Sequence, residues 1–130
     1  MNKIYTFLPI LVSLLTFSSH SNGGWSYYGS SDIGGEFFID YDRIRKKGDY
    51  IYFWVLRNYL EPDQWGDMSS MSYRKVSCQV PRKEKELQSV TYDQHFGKGN
   101  ITKTMSSEED WKYPVPNSIR EDHMNIVCSQ

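Results

Sequence analysis

The chain has little of what most protein chemistry needs. Of its 130 residues only two are cysteine, Cys78 and Cys128, and three are histidine, His20, His95 and His123. That excludes a zinc site of the usual kind, which takes three or four ligands. No Gly-x-Ser-x-Gly elbow is present, so the commonest serine-nucleophile setting is missing. Gly97-Lys98-Gly99 is a lone Gly-x-Gly and reads as a turn, not as a phosphate loop. Acidic groups occur as Asp40 with Asp42, as Asp93 beside His95, and as Glu108-Glu109-Asp110. None has a neighbour that would set acid and base roles apart. No catalytic residue, metal or cofactor is therefore expected. Charge of one sign is lacking too: 15 Lys+Arg stand against 16 Asp+Glu. Global charge thus gives no reason to expect nucleic acid as a partner.

Long apolar runs are also scarce. The one that exists, Ile4 to Phe17, follows Lys3 and precedes small residues at Ser19 and Ser21. It is short of the roughly 20 residues that a bilayer requires. A basic start, an apolar centre and a small-residue exit read as a secretory leader, with cleavage expected after Ser21. No cysteine follows the run, so a lipid anchor is not expected, and nothing later reads as a membrane span. Residues 1–21 are thus read as signal peptide and 22–130 as one exported domain, which is ordinary size for a single core. Loss of the leader removes Lys3 and no acid, so the formal charge moves from −1 to −2.

What is plentiful is aromatic surface: 15% of residues, ten of them Tyr. Such residues fit pleated sheets. Short β-runs separated by turn residues predict an antiparallel meander of about six strands. The runs are Trp25–Tyr28, Glu36–Tyr41, Tyr50–Leu60, Met71–Val80, Glu86–Phe96 and Ile101–Met105. Segments 43–49 and 81–85 read as loops. Tyr50–Leu60 is apolar on both faces, with Ile51, Phe53 and Val55 on one and Tyr52, Trp54 and Leu56 on the other. It should be central, with a helix over one face.

The tail supplies that helix. Pro114 and Pro116 end any strand. Ser118-Ile119-Arg120-Glu121 has the form of a capping box, with Glu121 placed to reach back to the cap. Ile119, His123, Ile126 and Val127 then recur at helical spacing, so about three turns should end near Cys128. The fold class is α+β, a meander with a C-terminal α-helix on one face. Behind a leader, two cysteines 50 positions apart read as a disulfide, Cys78–Cys128, rather than as two buried thiols. The bond would hold the helix near the strand carrying Cys78.

In order along the chain stand Trp25, Asp40, Trp54, Cys78, Tyr92, Trp111, Pro116, Ser118 and Cys128. This ordered set resembles the surface-adhesin protein E family of exported bacterial domains. The resemblance covers nearly all of the mature chain. It implies an antiparallel sheet carrying a C-terminal helix, no enzymatic activity, attachment to host matrix proteins, and a homodimer. Edge pairing of an open antiparallel sheet is one route to such a dimer. The other functional reading is a periplasmic accessory or small-ligand carrier without an adhesive role.

A binding surface can be placed from charge. In a meander, the loops after the second and fourth strands lie at one end of the sheet. They carry Arg43, Arg45, Lys46 and Lys47, and Arg82, Lys83 and Lys85. The opposite end holds Glu61, Asp63 and Asp67. An acidic domain would then present one basic pole to an anionic glycan or an acidic protein surface. Trp65 in a polar loop, with Tyr27, Tyr28, Tyr41 and Tyr59 at strand ends, are candidate aromatic anchors.

Overall fold

The computed structural model describes residues 24–106 and 108–130. The expected leader and its cleavage point lie outside the described residues. Seven strands and one α-helix follow in order: β1 Trp25–Ser31, β2 Gly35–Asp40, β3 Arg45–Lys47, β4 Tyr50–Asn58, β5 Ser69–Ser77, β6 Lys83–Tyr92, β7 Ile101–Met105 and α1 Ile119–Cys128. All form one antiparallel sheet in the order β1-β2-β4-β5-β6-β7, with β3 also on β4. The sheet is six strands wide because β2 and β3 share one edge of β4. β2 pairs with Val55–Asn58 and β3 with Tyr50–Tyr52.

Parts of two expected loops prove to be strand, Arg45–Lys47 and Lys83–Lys85, while the flanking residues are turn or loop, as expected. The first is a hairpin arm: Arg45, Lys46 and Lys47 pair with Tyr52, Ile51 and Tyr50. A tight turn follows at Gly48, whose φ of +61° suits glycine. β6 begins at Lys83, not Glu86, and β5 ends at Ser77, just before Cys78. Charge made these segments look like loops. An exposed strand accepts lysine readily, because half of its side chains face solvent.

The helix starts as the capping pattern implies, with one difference. Ser118 Oγ accepts from the Glu121 N–H at 3.2 Å. Glu121 reaches one residue further than expected and accepts from the Asn117 N–H at 3.2 Å. The Ser118 N–H is already used by the Val115 carbonyl.

Alternation along β4 answers which face the helix covers. Ile39, Phe53, Val55, Val76, Met124 and Val127 form the main core, each no more than 3% exposed. The helix thus packs on the Ile51–Phe53–Val55 face. Val127 is buried as expected, Ile119 and Ile126 are half-buried, and Met124 is an additional core residue. Ile119 reaches β1 at Gly29, where a Cβ would stand 2.9 Å from its Cδ1. Cys78 and Cys128 are bonded with Cα atoms 5.7 Å apart, inside the usual range. The tether joins the end of α1 to the end of β5.

The helix-free face has a smaller core of its own at the acidic end. Leu56 is fully buried opposite Phe38. Phe96, from a one-turn segment at His95–Gly97, lies edge-on to Phe38 at 5.1 Å. Asn58 and Ser69, both buried, hold that segment by accepting from the Phe96 and Gly97 N–H groups.

Candidate functional site

The sheet brings the predicted basic residues to one end, then divides them between its two faces. Tyr50 pairs with Ser77, and Ser77 with Lys83, so β3, the start of β4, the end of β5 and the start of β6 are neighbours. Cross-strand partners share a face. Lys47, Tyr50 and Lys83 therefore lie in one row on the helix-free face. Arg45, Tyr52, Lys75 and Lys85 form the next row. Lys46 sits opposite Ile51 and faces the helix side, beside Cys128. Arg82 also lies on that side, donating to Asn125 Oδ1 of the helix at 2.8 Å. Arg43 pairs with the buried carboxylate of Asp40 at 3.1 Å. Lys75 belongs with the cluster and was missed, because it lies mid-strand and not in a charged run.

Aromatic rings bind the helix-free rows together. Trp54 stacks on Tyr73 at 4.9 Å, Tyr73 lies 6.0 Å from Tyr52, and Tyr50 stacks on Trp111 at 5.8 Å. Ammonium groups lie over these rings. Lys47 is 5.3 Å from the centre of Tyr52 and Lys75 is 4.2 Å from that of Tyr50. Lys83, Lys85 and Lys75 converge on Trp111 at 4.7, 4.5 and 5.8 Å. Such contacts are worth about 0.5–1 kcal/mol each where exposed, and they order flexible side chains. Trp111 is positioned by backbone: Lys112 and Glu84 exchange N–H···O bonds of 2.7 and 2.9 Å, which lays the chain along the edge of β6. Glu108 meets Lys85 and is held below the usual carboxylate range by that hydrogen bond. Among the described residues, Lys47, Lys75 and Lys83 have no carboxylate within salt-bridge reach.

A buried polar network under the helix was not anticipated. Glu84 is 1% exposed and His123 is 2% exposed. Glu84 Oε1 accepts from Arg74 and from Arg120, each at 2.8 Å, and its Oε2 meets His123 Nε2 at 2.5 Å. His123 Nδ1 lies 3.1 Å from the Tyr28 hydroxyl. Burial raises the Glu84 pKa, but His123, Arg74 and Arg120 outweigh it and bring the carboxyl down to about 2. Burial holds the His123 pKa below its ordinary value against the pull of Glu84. Burial also pushes the Tyr28 phenol well above its ordinary value. A consistent assignment is an ionised Glu84, a neutral His123 that donates from Nε2 and accepts at Nδ1, and a Tyr28 that donates. Each ring nitrogen has a partner, so the network fixes the helix to β1 and β6. A period-2 reading of β6 puts Glu84 on the core face. Little in the sequence signalled it, because Lys83-Glu84-Lys85-Glu86 has the look of a charged loop and the partners of Glu84 lie 10 to 39 positions away.

The remaining candidates separate. Trp65, Tyr27 and Tyr41 are exposed, at 73%, 58% and 43%, while Tyr28 and Tyr59 are partly buried. Trp65 stands at the acidic end, remote in the fold from the lysine rows. His95 Nε2 lies 2.9 Å from the Tyr59 carbonyl, and Asp93 bonds Asn100. Among the described residues no group of three or more His, Cys, Asp or Glu is placed to hold a metal ion. No helix there is long and apolar enough to cross a membrane.

A six-strand-wide meander, a helix tethered to it by a disulfide, and a half-buried ladder of lysines and rings make a small α+β domain. The chain belongs to the surface-adhesin protein E family, whose model matches residues 25–129. Membership implies an exported, cell-surface adhesin. Its fold is similar to that of protein E from Haemophilus influenzae. One crystal form gives a TM-score of 0.63 at 15% identity, covering 82% of this chain and 88% of that one. A second structure gives 0.61 at 15% identity, with 82% and 85% covered. Protein E from a non-typeable strain gives 0.60 at 15% identity, with 85% and 79% covered. No curated protein matches the chain.

Proposed function

We propose that the domain is a non-enzymatic adhesin that engages a host matrix macromolecule through its basic pole. The observation that carries this reading is the juxtaposition of Arg45, Lys47, Lys75, Lys83 and Lys85 with aromatic rings at one end of a domain of net negative charge. Charge placed for solubility alone is dispersed in sign. Concentrated charge speeds encounter with an oppositely charged partner, and salt screens it over about 10 Å at 0.1 M. The test is binding of the mature domain to immobilised matrix proteins across a salt series. A variant with Lys47, Lys75 and Lys83 changed to Ser is the comparison. Wild type should bind at low salt and the variant should not. Equal retention of the two would reject the basic pole.

A second reading, a periplasmic carrier, is favoured by a cleft of about 520 Å³ beside the helix start. Tyr28, Arg74, Arg120 and His123 line it. Phe37, Val55 and Ile119 share its lining with those polar groups, the mixture of apolar surface and a few polar groups that small-ligand sites use. Protease treatment of whole cells separates the two readings: an adhesin is cleaved and a periplasmic carrier is protected.

A further inference from the structure

We propose that the helix-free face between β3 and β6 is a docking site for a sulfated glycosaminoglycan chain, centred on Lys75, Lys83, Lys85 and Trp111. This deepens the adhesin reading and rests on it. Three ammonium groups gather around one indole within 6 Å of its centre. Like charges so placed repel one another unless an anion sits among them. Among the described residues, the carboxylate that ion-pairs with these lysines is Glu108; it is largely exposed, bonds Lys85 and feels Lys75 only at longer range. A polymer carrying several anionic groups per repeat meets this demand better than a lone carboxylate can.

Geometry favours an extended chain. Neighbouring strands are about 4.8 Å apart, so Lys47 on β3 and Lys83 on β6 are separated by about 14 Å across one row. That span suits a few sugar rings in sequence, with Tyr50 and Trp111 between the outer charges. Lysine stems laid over rings are already ordered, so binding gives up less side-chain freedom than free lysines would. Lysine presents a point charge that takes sulfate from many directions, whereas arginine favours planar bidentate partners. Single-stranded nucleic acid also uses rings and cations. It needs open ring faces for its bases, and Tyr50 with Trp111, and Trp54 with Tyr73, are stacked on each other instead.

The experiment is calorimetric titration of the mature domain with a heparin octasaccharide. Its desulfated counterpart and an oligothymidylate of equal charge serve as comparison ligands. Lys75→Ser with Lys83→Ser should weaken heparin binding by about ten-fold or more. Lys46→Ser with Arg82→Ser, on the helix side, should stay within about two-fold. Lys75→Arg with Lys83→Arg should retain binding, which shows that charge and not folding is read. Trp111→Ala, with its unfolding midpoint checked, should weaken binding. Equal weakening by the two Ser pairs, or tighter binding of the oligothymidylate, overturns the site or its ligand. Absence of heparin binding alongside intact matrix-protein binding overturns this inference and leaves the adhesin reading standing. Absence of both overturns both.

Discussion

Replacement of Glu84 by Gln tests the buried network most sharply. The side chain keeps its shape and loses its charge. In the folded chain His123, Arg74 and Arg120 bring the Glu84 carboxyl from its ordinary 4.5 down to about 2 on the pH scale. Each unit corresponds to about 1.36 kcal/mol, so its ionised form contributes about 3 kcal/mol at neutral pH. A depressed carboxyl gives stability that is complete above its unfolded pKa and is lost as pH falls through the folded one. The wild type should therefore exceed Glu84→Gln by about 3 kcal/mol at pH 7. The gap should start to close below about pH 4.5 and be nearly gone by about pH 2. His123 adds a separate slope. Its folded pKa is also lowered, so the neutral ring favours the folded state above about pH 6.5, and acid removes that preference. Urea titrations of both proteins from pH 7 to pH 3 measure the gap. A difference below about 1 kcal/mol at pH 7 would refute the reasoning. So would a difference that stays constant down to pH 3, because the loss would then come from shape and not from charge.

Three further outcomes follow from packing and covalent geometry. Cys128→Ser opens a 50-residue loop and should cost about 4 kcal/mol in denaturant unfolding on the chain-entropy account; an unchanged midpoint would contradict the tether. Met124→Ala, at a site 1% exposed in the main core, should lower stability by about 2–5 kcal/mol, and a loss under about 1 kcal/mol would place the helix elsewhere. Gly35→Ala sets a Cβ 1.9 Å from the Asn58 carbonyl at a φ of +91°, so expression as folded protein should fall sharply, and a stable variant would contradict the β2–β4 junction.

Periodicity made most of the fold legible. The alternation of Tyr50 to Leu56 identified the central strand and its two apolar faces, and the Ser118 cap with the Cys78–Cys128 tether identified the helix and where it ends. The choice of face was not readable, because Phe53 and Trp54 are equally apolar. The helix's own buried residues, Met124 and His123, decide it by meeting Phe53 and Glu84. Strand β3 was hidden because Arg45, Lys46 and Lys47 look like a loop, although a two-sided edge tolerates charge. The candidate site was half visible. The chain order placed seven basic residues at one pole. It did not sort Lys46 and Arg82 from Lys47, Lys83 and Lys85, since a face is assigned by register and register depends on partners far along the chain. Lys75 and Trp111 became part of the site only through pairing, Lys75 with Lys85 and the segment around Trp111 with Glu84.

The four tryptophans offer the most direct measurement, because Trp25, Trp54, Trp65 and Trp111 occupy different places in the fold. Their indole N–H signals can be followed by NMR as heparin octasaccharide is added to residues 22–130. The account predicts large shifts for Trp111, smaller ones for Trp54, and none for Trp65 at the acidic end. Movement of the Trp65 signal with Trp111 unmoved would contradict it and place binding at the opposite pole.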